Sequence, residues 1–315
     1  MAANFLDYAY FEGKTVPFAE AKLSVATHAL QYGTGVFGGV RGYLSHDEQS
    51  INIFRLDDHC ARVLQSASLI KLKLPFDPNG LKQVFVDLTE KNAPSGNVYY
   101  RPFGYKSGLE LTPRLSKVPD EFALYMLSLD DYYSAEKGLD VMVSSWHRVS
   151  DNQIPARGKI SGAYINSSLA KDDAESFGFD EAIMLNEQGK VGEGSAANLM
   201  IVRGGTLITP PITADILEGI TRRTILKLAE DLNIPTEQRS IDRTELYVAE
   251  EMFFCGTGAQ VTPIASVDRR QVGTGTRGPV TGKIAERFFK TVRGELSDYD
   301  SWLTKVPVKV AQAAD

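Results

Sequence analysis

Residues 33–42 limit the fold more than any other stretch: Gly33-Thr34-Gly35-Val36-Phe37-Gly38-Gly39-Val40-Arg41-Gly42 holds five glycines in ten positions. The first six residues match G-x-G-x-x-G, and Asp57 follows about twenty residues on, the spacing of a dinucleotide fingerprint. That fingerprint must follow a buried strand and open a crossover helix. Here Gly39 and Gly42 come at once, and the polar Ser45-His46-Asp47-Glu48-Gln49-Ser50 then turns the chain into a second apolar run. No crossover helix fits, so the pattern reads as a hairpin of strands at 36–44 and 51–56. Gly158-Lys159 likewise imitates the end of a P-loop. It fails because Ile160 replaces the Ser or Thr, and Gln153 stands at the upstream glycine position.

The rest of the chain alternates strands and helices. Residues 8–18 form a hairpin turning at Glu12-Gly13. Asp57 or Asp58 caps a helix to about residue 71, with Cys60, Val63, Leu64, Ala67 and Leu69 as its apolar face. A helix at 80–91 and strands at 98–105 and 122–129 follow. The polar, aromatic stretch 130–138 has no period and reads as a linker. Beyond it come a strand (139–144), a helix (162–176) and a strand pair (181–186 with 197–202). A helix at 221–232 follows, with Ile225, Leu228, Ala229 and Leu232 on one side. A short helix (242–249), a strand (252–255) and a helix (280–293) complete the pattern. A length of 315 residues exceeds one ordinary core. The expectation is an α/β (α+β) chain with mixed sheets: a small α/β domain at 1–129, a linker at 130–138 and a larger domain at 139–315.

Composition narrows the function classes. A net charge of −6 with no basic arm argues against nucleic acid as partner. No apolar run reaches the roughly 18 residues that span a bilayer, so no membrane association is expected. Cys60 and Cys255 make no disulfide framework, and the segment from Met1 to Asp7 lacks a signal-peptide pattern; the cytoplasm is the expected compartment. His28, His46, His59 and His147 lack metal-ligand spacing, so no metal is expected.

Four segments carry chemistry. Lys159 lies among small residues ahead of an apolar helix, a setting where an amine loses solvation and becomes a nucleophile and base. Glu193 sits in the glycine turn Gly192-Glu193-Gly194, placed to hold a pyridine nitrogen protonated. Leu217-Glu218-Gly219-Ile220-Thr221-Arg222 opens a helix whose free amides and dipole suit an anion, with the Thr221 hydroxyl added. Cys255-Gly256-Thr257-Gly258-Ala259-Gln260 is a glycine turn whose amides suit phosphate or carboxylate.

Taken with Tyr32 to Arg41, Tyr99-Tyr100-Arg101-Pro102, Lys159 to Tyr164, Asn198-Leu199 and the stretch from Val272 to Thr281, these segments resemble the branched-chain amino-acid aminotransferases of fold type IV. The resemblance implies pyridoxal 5′-phosphate as cofactor, carried on Lys159, which also moves the substrate α-proton. It implies Glu193 at the ring nitrogen and Tyr164 at the ring hydroxyl, with Arg62, Ile220, Thr221 and Thr257 at the phosphate. For amino-acid and 2-oxo-acid substrates it implies Tyr32, Phe37, Tyr164 and Tyr132 or Tyr133 as apolar walls. Gly39 leaves room, and Tyr99, Arg101 and the amides of Gly258 and Ala259 receive carboxylates. It also implies a homodimer or higher homo-oligomer. The family commonly has Ser at position 35 and Glu at position 38, and Ala-Ala-Glu where this chain has Gly258-Ala259-Gln260. These departures bear on substrate range and leave the cofactor residues unchanged. D-amino-acid or R-amine transaminases and aminodeoxychorismate-type lyases share the lysine and the acid. Tyr99-Tyr100-Arg101 and the glycine-rich segment 273–282 favour the branched-chain transaminase, and a non-catalytic metabolite-binding module has no need of Lys159 and Glu193 together.

Overall fold

A computed structural model describes residues 4–129 and 138–308. Its contacts divide the chain into two compact units. Of the described residues, 4–129, 158–162 and 289–308 form the first; 138–157 and 163–288 form the second. Composition alone drew one boundary at 130–138, a stretch that lies outside the described residues except for Gly138. Strand pairing explains why two later segments join the first unit. Ile160 bridges Val36, and a late strand completes the first sheet.

The first unit holds β1 (Asn4–Phe5), β2 (Tyr8–Phe11), β3 (Lys14–Pro17), β4 (Gly35–Phe37), β5 (Val40–Leu44), β6 (Ser50–Phe54), β7 (Val98–Lys106), β8 (Asp120–Ser128) and, from the far end of the chain, β18 (Leu303–Pro307). They form an antiparallel sheet in the order β18-β6-β5-β7-β8-β2-β3, with β1 on β8 and β4 on β7. The expected hairpin at 8–18 is β2–β3, turning through Glu12 and Gly13 at φ 47° and 84°. The expected strand at 36–44 breaks at Gly38-Gly39, so that β4 and β5 pair with different halves of β7.

Strand alternation sorts β7 from Val98 to Phe103. Val98 and Tyr100 face a core shared with Phe122, Leu124 and Met126 of β8, while Tyr99 and Arg101 face the other way. Over that core lie α2 (Leu56–Leu69), through Leu56, Cys60 and Val63, and α3 (Pro78–Asn92), through Leu81, Phe85 and Leu88, both at helical spacing. Each such fully buried large side chain contributes about 1.5–3 kcal/mol. Helix α2 starts one residue before the expected cap. Arg55 enters at φ 50°, and Asp57 and Asp58 lie in the first turn, where their charge suits the helix dipole. Asp77 caps α3 by accepting from Gly80 N at 2.7 Å. One short helix, α1 (His28–Tyr32), was not expected from the pattern.

The second unit holds β9 (Leu139–Val143), β10 (Glu181–Leu185), β11 (Val191–Gly194), β12 (Asn198–Arg203), β13 (Thr206–Thr209), β14 (Thr236–Gln238), β15 (Glu251–Gly256), β16 (Gln260–Val267) and β17 (Arg270–Gln271). Their sheet is mixed, in the order β11-β10-β9-β16-β15-β12-β13-β14, with β9 parallel to both of its neighbours. The expected pairing of 181–186 with 197–202 does not form. Val191–Gly194, which its glycines mark as a turn, is a buried strand on β10, and β12 pairs with β13 and β15 instead. Strand β10 is buried on both faces. Ile183 and Leu185 join the main core, while Ala182 and Met184 pack under Ala170 and Ala174 of α4 (Tyr164–Ser176). Helix α5 (Ile220–Asp231) buries Ile225, Leu228 and Ala229, and α6 (Pro279–Val292) follows; the short helix expected at 242–249 is a 3-10 turn, Arg243–Val248.

Candidate functional site

In the first unit, Lys159 is fixed by its own backbone. Its amide donates to Ser66 Oγ at 3.2 Å, and its carbonyl accepts from Phe37 N at 2.9 Å. The clamp joins Lys159 to Ser66, 93 residues away, and to the more distant Phe37; the chain also packs closely at Gly33, where a β-carbon would stand 2.8 Å from Gly162 Cα. The half-buried Lys159 Nζ lies 5.1 Å from the centre of the Phe37 ring. On the same ring, at 4.8 Å, rests the Arg101 guanidinium. Arg101 also lies 5.3 Å from the Tyr99 ring centre and donates to the Tyr99 hydroxyl at 3.3 Å; its buried Nε has no hydrogen-bond partner. Gly39 lies under that hydroxyl. Lys159, Phe37, Arg101, Tyr99 and Gly39 are therefore brought together.

Arg62 and Tyr32 belong to the same unit with other contacts. Arg62 Nη2 lies 3.4 Å from His59 Nδ1 on α2. Tyr32 ends α1 with its ring 4.7 Å from that of His28. His28 is fully buried: Nε2 donates to Thr112 O at 2.9 Å, so Nδ1 accepts from the Thr34 hydroxyl at 2.7 Å. That one ring ties α1 to the residues on either side of it in space. The two glycine departures also have local causes. A β-carbon at Gly35 would stand 2.5 Å from Phe103, and one at Gly38 would stand 2.7 Å from Pro102.

In the second unit, Glu193 sits on β11, 6% exposed. Arg148 Nη2 donates to Oε1 at 2.9 Å, Asn198 Nδ2 donates to Oε2 at 2.8 Å, and Leu217 N approaches both oxygens at 3.3 Å. Every one of these partners donates, an environment that suits the carboxylate over the carboxylic acid. Removing one partner of such a buried pair costs far more than breaking a surface pair. Arg148 is itself held, with Nε on Asp215 O at 3.2 Å.

From Leu217 the chain runs directly into α5, whose cap residue Gly219 offers no side chain and which receives no side-chain cap. Ile220 and Thr221 are buried in its first turn. Arg222, next to them, faces inward to Pro210 O and Gln238 and is absorbed by packing; burial lowers its pKa. Thr257, Gly258 and Ala259 form the half-buried turn between β15 and β16, closed by Gln260 at φ 56°. The register of Asn198 on Cys255 sets this turn near the start of β12, and a β-carbon at Gly256 would meet Ala197 at 3.6 Å. Tyr164 is the half-buried first residue of α4. Tyr132 and Tyr133 lie outside the described residues.

Sequence reasoning missed Ser66, Arg148 and the role of Asn198. Asn198 lies in the motif that runs from Gly192 to Leu199; Ser66 and Arg148 carry no local signal, because a buried charge or amide can draw its partner from anywhere in the chain. Among the described residues no group of three or more His, Cys, Asp or Glu is placed to hold a metal ion, and no helix is long and apolar enough to cross a membrane.

Known proteins share this architecture. The family model described as amino-transferase class IV matches residues 35–267. A probable branched-chain-amino-acid aminotransferase from Synechocystis sp. is 45% identical over 306 residues, 97% of this chain and 99% of that protein. The crystal structure of branched-chain aminotransferase from Thermoproteus uzoniensis with norvaline superposes with a TM-score of 0.92 at 40% identity, over 97% of this chain and 100% of that one. Branched-chain amino acid aminotransferase from Thermobaculum terrenum, solved in its PLP-form, gives 0.92 at 37% identity, over 96% and 99%.

Proposed function

This chain belongs to the class IV amino-transferase family, and we propose that it moves the amino group of branched-chain L-amino acids to 2-oxoglutarate with pyridoxal 5′-phosphate as cofactor. The observation that carries the reading is the Glu193 carboxylate. It is buried, supplied by donors on each oxygen, and joined through Leu217 to a helix start that receives no side-chain cap. A buried acid bonded to the strap that leads into an anion-binding helix start suits a pyridine ring bearing a phosphate.

In this reading Glu193 faces the ring nitrogen, and Tyr164 the ring hydroxyl. Arg62, the Ile220 amide, Thr221 and Thr257 would hold the phosphate, and Lys159 would carry the cofactor. When bound, the cofactor supplies an electron sink for the bonds at the substrate α-carbon. The Lys159 amine would move the proton between that carbon and the cofactor. Its backbone clamp to Ser66 and Phe37 restricts where the amine can reach. Arg101 and Tyr99, with the Gly258 and Ala259 amides, receive carboxylates. Phe37, Tyr32, Tyr164 and Tyr132 or Tyr133 would line the side-chain pocket, with Gly39 leaving room.

Lys159→Ala is expected to abolish transamination with leucine, isoleucine or valine as donor while leaving far-UV circular dichroism unchanged. Full turnover by that variant without added amine would sink the assignment, and so would a wild-type chain inactive on all three donors.

Two further elements belong to the same proposal. Copies of the chain associate, because Val25, Leu30, Leu109 and Leu111 stand 59–80% exposed on segments that the His28 bonds hold together. The chain works in the cytoplasm, where its two buried thiols stay reduced; recovery of the protein in an oxidising compartment would exclude that.

A further inference from the structure

The hydrogen bonds around Glu193 converge on one residue. Asn198 is the first residue of β12, and its side-chain nitrogen donates to Glu193 Oε2 at 2.8 Å and to Leu217 O at 3.0 Å. A carboxylate and a carbonyl only accept, so the amide nitrogen must be the atom that faces them, and the oxygen of the same amide points away. It points at Gly219. A β-carbon on Gly219 would stand 1.9 Å from Asn198 Oδ1 and 3.1 Å from Cγ, with Arg222 Cβ next at 3.2 Å. Gly219 is the cap residue of α5 at φ −66° and ψ 133°, a conformation open to any residue, so its glycine answers to the neighbour and not to the backbone. Asn198 is 5% exposed. It thus touches the acid, the strap from Leu217 to Gly219, and the entry to α5.

We propose that Asn198 is a positioning residue whose side-chain amide sets the spacing between the Glu193 carboxylate and the first turn of α5. The inference rests on the cofactor reading above, in which those two groups grip opposite ends of one molecule. A ligand that spans both ends gains from correct spacing, because its second contact is made at high effective concentration. A ligand that touches one end gains nothing from it. This separates a spacing role from a general support of the fold.

The test measures binding by the cofactor-free full-length chain, using pyridoxamine 5′-phosphate, pyridoxamine and inorganic phosphate as probes in isothermal titration calorimetry. None of the three bonds covalently to a lysine. Asn198→Ala is expected to weaken pyridoxamine 5′-phosphate about tenfold or more, the scale of a buried hydrogen-bonded group lost. Pyridoxamine and phosphate measured singly should weaken about twofold or less on the same grounds. Asn198→Ser stays polar and uncharged but is too short to bond both Glu193 and Leu217, and should show the same pattern if the alanine variant folds poorly. Gly219→Ala should cost about tenfold in the wild-type background but about twofold or less beside Asn198→Ala, where its collision partner is gone. Equal costs of Gly219→Ala in both backgrounds, or equal losses for all three probes in Asn198→Ala, would overturn the spacing role. Glu193→Gln and Thr221→Ala test the reading beneath it. If both bind pyridoxamine 5′-phosphate like wild type, the cofactor assignment falls and the inference with it. If they weaken binding while Asn198→Ala does not, only the inference falls.

Discussion

A β-carbon at Gly39 would stand 2.1 Å from the Tyr99 hydroxyl oxygen and 2.7 Å from the ring carbon bearing it. Gly39→Ala must therefore displace Tyr99, and with it Arg101, which donates to that hydroxyl. The expected result is a rise of roughly tenfold or more in KM for both donor and acceptor, since small misplacements of binding groups carry large penalties. Steady-state kinetics beside a thermal melt check it: an unchanged KM would show that neither side chain receives substrate. Lys159 and Glu193 stand out in the sequence because glycines and small residues crowd around them. Their supports were invisible there. Ser66 lies on α2 and Arg148 in a loop after β9, and only folding brings them to the lysine amide and the acid.

At the scale of elements, what the sequence reveals depends on how far a helix must reach for its cap. Asp77 is three residues from the amide it caps, and the start of α3 follows from local spacing. The start of α6 is capped from another strand: Glu251 accepts from Val280 N at 2.9 Å and Thr281 N at 2.7 Å, 29 and 30 residues away. A β-carbon on Gly278 would stand 2.2 Å from that carboxyl carbon. Glu251→Ala is expected to lose about 1–2 kcal/mol, read from urea unfolding; a loss below experimental error would mean the cap is idle. A second acid gives a pH dependence. The Arg239 guanidinium beside Glu245, aided by Arg203, holds its carboxyl below the ordinary value although burial opposes this. A depressed carboxyl contributes stability above its unfolded pKa and loses it as pH falls through the folded value. The urea midpoint should therefore decline as pH drops from about 5 toward 3, and Glu245→Gln should flatten that decline. Parallel declines in both proteins would remove Glu245 from the account. The same distance effect hid β11: glycines at 192 and 194 read as a turn, yet burial on β10 makes a strand of it.

For the molecule as a whole, two sheets were legible from alternating runs separated by polar turns, because each strand carries its own period. Which strands pair was not, since register comes from partners far along the chain. The exposed leucines near α1 give the expectation that belongs to this scale. Light scattering should report a dimer or larger assembly, and Leu30→Lys with Leu111→Lys should shift it toward monomer. A wild-type chain monomeric at micromolar concentration would end that proposal.

Strand β18 pairs with β6 from Leu303↔Phe54 to Pro307↔Ser50, at the border of the first sheet. A ribosome therefore releases β6 long before its partner exists, and through most of translation that strand has an open flank. Damage near residue 305 is felt at residue 52: a stop codon upstream of Leu303 would strip the border from the unit that clamps Lys159, and the nascent chain would meet the cell with a ready template for pairing with a stranger.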